Sequence, residues 1–169
     1  MDHRPSHRRL ESDCPTGRLM SEARWTITHE AQLAGSDGEP LAMALAADLA
    51  SRGLLRSQTH NWDDRITVAT SADGRIVGVI CWRLNKWNRA AFISLGGTAP
   101  TFRRQGAYRA LFEALVSEIR ANHAEVEHID SGHHIDNAAS AAMHKALGRK
   151  LDSLGYSFPI SRTDLEGRP

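Results

Sequence analysis

The run Arg103-Arg104-Gln105-Gly106-Ala107-Tyr108 sets two adjacent cations and a glycine at the point where an apolar strand gives way to an amphipathic helix. A helix start exposes unpaired N–H groups and carries partial positive charge. That combination binds anions, phosphate above all. A glycine lets the backbone approach the anion, and arginines add charge and forked donors. The six residues therefore read as a pyrophosphate cradle. On the turn alone, a surface loop with solvated arginines explains them equally well. No Gly-Lys-Ser/Thr follows, so this is not a Walker-type phosphate loop, and the Gly-x-Gly-x-x-Gly of dinucleotide binders is missing. A second group lies downstream: His133, His134, Asp136, Asn137 and His144. Histidine can give or take a proton near neutrality. A metal on His133, His134 and Asp136 is disfavoured, because adjacent strand residues point to opposite faces. Asn137 also suits a helix N-cap.

These groups need elements to hold them. Residues 24–30 alternate Trp25, Ile27 and His29 with polar neighbours, as a strand does. Pro40 opens an alanine-rich helix that Gly53 closes. Residues 65–70 and 75–84 read as strands joined at Asp73-Gly74, the signal of a type I′ hairpin. After the turn at 85–89 comes a strand ending Gly96-Gly97. Tyr108, Leu111, Phe112, Leu115 and Ile119 then share one helix face. A strand over 126–132 leads into a helix over 136–151, with Ala139, Met143, Ala146 and Leu147 inward. Gly155 leads to a last strand, 156–162. The order predicts a single α/β (α+β) domain over 24–169 with a mixed sheet, behind a flexible tail over 1–23.

Bulk properties narrow the function. The chain has 169 residues, 41% of them apolar, enough for one core. A net charge of +1 gives no long-range field for nucleic acid. Trp62, Trp82 and Trp87 read as core or rim packing, with no basic groove to make them a stacking platform. Cys14 is in a polar stretch and Cys81 in an apolar one, so no disulfide is expected and a reducing, cytoplasmic setting is. No apolar run approaches the roughly 20 residues of a membrane helix, and no apolar leader core is present near the N-terminus.

The stretch GGTAPTFRRQGAYRALFEAL, followed by a strand and an Asn137-led helix, resembles the acetyl-CoA signature of the GNAT superfamily of N-acetyltransferases. Pro100, Arg103 and Gly106 stand at the signature's Pro, Arg/Gln and first Gly. Thr98 replaces a Val. Tyr108 replaces the final Gly/Ala, which requires its ring to turn onto the buried face of the helix. The resemblance implies a GNAT-like sheet, mostly antiparallel, flanked by helices and splayed between the fourth and fifth strands. It implies direct acetyl transfer from acetyl-CoA to a primary amine. Backbone N–H groups of Arg104, Gln105, Gly106, Ala107, Tyr108 and Arg109 would hold the pyrophosphate. Gly96, Gly97 and Thr98 would line the pantetheine arm, through a bulge at the two glycines that also supplies an oxyanion N–H; Asn137 would contact the cofactor. His144 takes the place of the family's proton-donating tyrosine. Gly132 stands where a basic glutamate is common; Asp130 lies two residues upstream on the same strand face, and His133 and His134 flank the vacancy and rank first as candidate bases, or a water chain serves. His60, Asp63 and Asp64 fall in the loop bordering the acceptor, residues 54–64. The missing glutamate and the near-neutral charge favour a small-molecule amine over a protein lysine or N-terminus. A CoA-binding sensor without activity is the competing reading, and a homodimer is an admissible assembly.

Overall fold

The computed structural model describes residues 24–55 and 61–151. The elements run β1 (Thr26–Glu30), α1 (Glu39–Ser51), β2 (Arg65–Thr70), β3 (Ile76–Asn85), β4 (Ala90–Thr98), a 3-10 turn (Pro100–Phe102), α2 (Ala107–Asn122), β5 (His128–Ser131) and α3 (Ala138–Ala146). The strands form one sheet in sequence order. The first four are antiparallel, and β5 runs parallel to β4. This is the expected mixed sheet. The tail, His60, Gly155 and the strand expected at 156–162 lie outside the described residues.

Alternation along the strands sorts side chains onto two faces. Ile66, Val68, Val79, Cys81 and Leu95 pack with Ala42, Leu45 and Ala46 of α1. Val77, Ile80, Trp82 and Ile93 pack with Leu111, Leu115 and Ile119 of α2. Tyr108 and Phe112 complete the α2 stripe as half-buried neighbours of that core. Each fully buried leucine of the stripe contributes about 2 kcal/mol of apolar burial.

Three expectations are corrected. Asp73-Gly74 is not a type I′ turn: only Gly74 takes a positive φ, 81°. A five-residue connection sets that geometry, with Ser71 N–H bonded to the Arg75 carbonyl at 2.9 Å. The Asp73 carboxylate accepts from Ser71 Oγ and from Arg75 Nε. Second, α3 spans Ala138–Ala146 rather than 136–151, and among the described residues none of its side chains is fully buried; Ala139 and Ala146 are exposed, while Met143 and Leu147 at its end are half-buried. Polar contacts hold this helix instead, among them Arg109 Nη2 donating to the Ala146 carbonyl at 3.1 Å. Third, Trp82 is core at 1% exposure, but Trp87, at the β3–β4 hairpin, is 99% exposed.

Candidate active site

Strand β4 carries the first part of the site. It pairs with β3 as far as Thr98, but with β5 only over Ala90–Ile93. From Ser94 to Thr98 it has no strand partner on its β5 side among the described residues. The bulge is not at Gly96-Gly97, which stay in register with Ile80 and Val79. It falls at Ser94: Cys81 faces Leu95, Trp82 faces Ile93, and Ser94 is left over. The hydroxyl of Ser94 explains the position, since it donates to Asp64 Oδ2 at 2.5 Å and lies 3.2 Å from the Cys81 carbonyl. The glycines have another cause. A Cβ on Gly96 would sit 2.8 Å from the Tyr108 hydroxyl, and one on Gly97 would sit 3.1 Å from Leu45. The Tyr108 ring thus leans onto β4, as its place on the apolar stripe requires. Burial pushes its phenol up to about 12.

Beyond this stretch of β4 comes the start of α2. Gly106 caps that helix at φ 87°, and Arg104 also adopts a positive φ, 62°. Backbone turns of this kind aim N–H groups into one concavity. The first helical bond runs from Ala110 N–H to the Gly106 carbonyl, so the N–H groups of Ala107, Tyr108 and Arg109 precede it. No side chain caps this end and no acid stands in the first turn. A Cβ on Gly106 would meet nothing within 4 Å. Arg103 and Arg104 are exposed here. The Gln105 side chain folds back, its amide donating to the Thr101 carbonyl at 2.9 Å, which leaves only its backbone to the turn.

Asn137 caps α3, its Oδ1 accepting from Ser140 N–H at 3.1 Å. Two turns on, His144 sits against the end of β5. Its Nε2 lies 3.4 Å from Ser131 Oγ and 3.3 Å from Ser140 Oγ. Arg149 Nη1 lies 3.1 Å from its Nδ1. An arginine only donates, so Nδ1 accepts and the ring's single proton is on Nε2. Burial, then the Arg149 charge, then His133 lower the His144 pKa to about 4. The ring is therefore neutral at pH 7. His133 stacks on it, with centroids 5.3 Å apart.

The Acetyltransferase (GNAT) family model matches residues 8–148. The chain belongs to this acetyltransferase family. No curated protein matches its sequence. Several solved structures share its fold. An aminoglycoside acetyltransferase from an uncultured soil metagenomic sample, in complex with sisomicin, is 12% identical with a TM-score of 0.61, over 82% of this chain and 97% of that one. A ribosomal-protein-alanine N-acetyltransferase from Brucella melitensis is 14% identical with a TM-score of 0.58, over 80% and 99%. The acetyltransferase AAC(6')-Iy, in complex with a CoA bisubstrate analogue, is 16% identical with a TM-score of 0.53, over 82% and 99%.

Other predicted residues of this acetyltransferase are already engaged. The lone pair of His134 Nδ1 accepts from Asp136 N–H at 3.2 Å, within its own turn. Asp130 accepts from Asn88 Nδ2 at 3.0 Å. Asp64 is 1% exposed and pairs with Arg83 at 3.0 Å. Gly132 faces open space: a Cβ there would meet nothing within 4 Å. Ser94, Ser131 and Arg149 were not expected from sequence. Arg149 alone left a readable signal, since it directly follows a glycine at a helix end.

Proposed function

We propose that this acetyltransferase moves the acetyl group of acetyl-CoA directly to the primary amine of a small molecule, with both substrates bound at once. One observation carries the reading. The edge of β4 without a strand partner among the described residues, Ser94–Thr98, runs into the uncapped start of α2. An extended arm ending in a pyrophosphate needs a free strand edge followed by a cluster of N–H donors, in that order. Arg103 and Arg104 add charge beside those donors, and a Cβ-free Gly106 gives the phosphates room. The aminoglycoside acetyltransferases of the same fold, one of them held with a CoA bisubstrate analogue, support a CoA donor and a small amine.

The amine must reach the thioester as a neutral nucleophile. His133 is the candidate base: it borders the site beside the space at Gly132, whereas His134 is occupied by its own turn. Attack places negative charge on the thioester oxygen, which a fixed backbone N–H would meet. The new C–N bond leaves a proton on nitrogen. As the C–S bond breaks, that proton passes to sulfur. A neutral His144 whose Nδ1 is taken by Arg149 cannot take up and hand on a proton, so its role here is to donate a hydrogen bond: its Nε2–H and the hydroxyls of Ser131 and Ser140 line the path by which the amine proton reaches the departing thiolate.

Calorimetric titration with acetyl-CoA tests the reading, with dephospho-CoA and acetate as controls. Binding is expected for acetyl-CoA and absent for acetate, and Gly106→Asp should abolish it through charge repulsion in the cradle. Undiminished binding by Gly106→Asp would overturn the cradle assignment.

A further inference from the structure

We propose that Arg149 is the positioning residue of His144, placed there by the glycine that ends α3. The inference rests on the acetyl-transfer reading only for its catalytic meaning; its geometry stands by itself. Leu147 is the last residue of helical character, and Gly148 takes φ 71°. Gly148 N–H bonds to the Lys145 carbonyl at 3.0 Å, and Arg149 N–H bonds to the His144 carbonyl at 3.0 Å. These are the paired bonds of a Schellman end, which carries the residue after the glycine back over the one five positions earlier. In many such ends an apolar contact closes the motif. Here the two side chains that meet are Arg149 and His144.

The guanidinium is held from three sides. Its Nη2 donates to the Ile129 carbonyl of β5 at 2.9 Å, its Nη1 donates to His144 Nδ1, and its plane lies 5.5 Å from the Phe112 ring centroid of α2. Arg149 therefore ties α3 to β5. Its donation assigns the ring proton to Nε2 and aims that N–H at Ser131 and Ser140. The groups facing the imidazole are Arg149, His133 from the loop, Ser131 from β5 and Ser140 from α3. Asp130 of β5 and Tyr108 of α2 act on Arg149 rather than on the ring. With a cation at Nδ1, the imidazolium form is penalised. Partial burial and this cation together keep His144 a neutral hydrogen-bond donor across the whole neutral range.

Nitrogen NMR of the histidine rings tests this without any acetyl donor, so its failure is separable from failure of the acetyl-transfer reading. In the wild-type protein, His144 should show the Nε2–H tautomer and titrate near pH 4. An Nδ1–H tautomer there would overturn the proposal with no variant needed. In Arg149→Met the tautomers should mix and the titration should move up from its wild-type value, with turnover down about tenfold and KM for acetyl-CoA little changed. Gly148→Val alters no side chain in the site but opposes the positive φ, and it should reproduce the same tautomer drift. If His144 keeps both its tautomer and its titration in Arg149→Met, Arg149 is a structural tie and nothing more.

Discussion

His144 shows how neighbours decide what a residue can do. Its position in the sequence suggested a proton donor; its surroundings make it a neutral ring with one directed N–H. Partial burial and the cation at Nδ1 both work against the charged form. His144→Phe should therefore lower turnover about 100-fold while leaving acetyl-CoA affinity within about twofold, since the ring serves the leaving group and not the phosphates. Steady-state kinetics beside calorimetry checks the split; unchanged turnover would remove His144 from the reaction path. Cys81 is the contrasting residue. It is a nucleophile by type, but burial and the nearby Asp64 charge push its thiol up to about 12, so it is a packing residue of β3.

At the scale of elements, the site depends on how α2 meets β4. Tyr108 occupies the space that a side chain at position 96 would need. The tyrosine, which departs from the family signature, and the glycine therefore form one packing unit. Gly96→Ala should cost about 2 kcal/mol through overpacking, and less than about 0.5 kcal/mol when Tyr108 is already Leu. Denaturant unfolding of the two single variants and the double variant measures that coupling; additive costs would show that the ring and the strand do not share the space. The bulge belongs to this scale as well. It falls at Ser94 and not at the glycines, because a serine there reaches both the buried Asp64 and the Cys81 carbonyl.

For the whole molecule, the His144 environment links stability to pH. The unfolded ring titrates at its ordinary value of 6.5 and the folded ring near 4. The unfolded chain thus takes up the proton first as pH falls. The His144 contribution is complete above pH 6.5 and is lost between there and about pH 4. Solvent screening of this partly exposed ring holds the loss to about 1 kcal/mol. Unfolding midpoints at pH 7.5 and 5 should show a larger drop for the wild type than for His144→Phe; equal drops would contradict the low folded value. Much of this molecule was legible in one dimension. The α2 stripe, the strands themselves and the glycine turn at the start of α2 each follow from local periodicity or from backbone preferences, which act over a few neighbouring residues. The bulge position, the engagement of Asp64, Asp130 and His134, the exposure of α3 and the neutral state of His144 were not legible. Each depends on a partner brought in by the fold: Ser94 to Asp64 spans 30 positions and Asn88 to Asp130 spans 42. Arg149 lies between the two cases. Its backbone course is written locally in Gly148, but its effect exists only because β5 and α2 offer a carbonyl and a ring to hold the guanidinium in place. Local chemistry chose the residue types of this site, and only packing could decide which of them carry charge, which are spent on one another, and which are left to face a substrate.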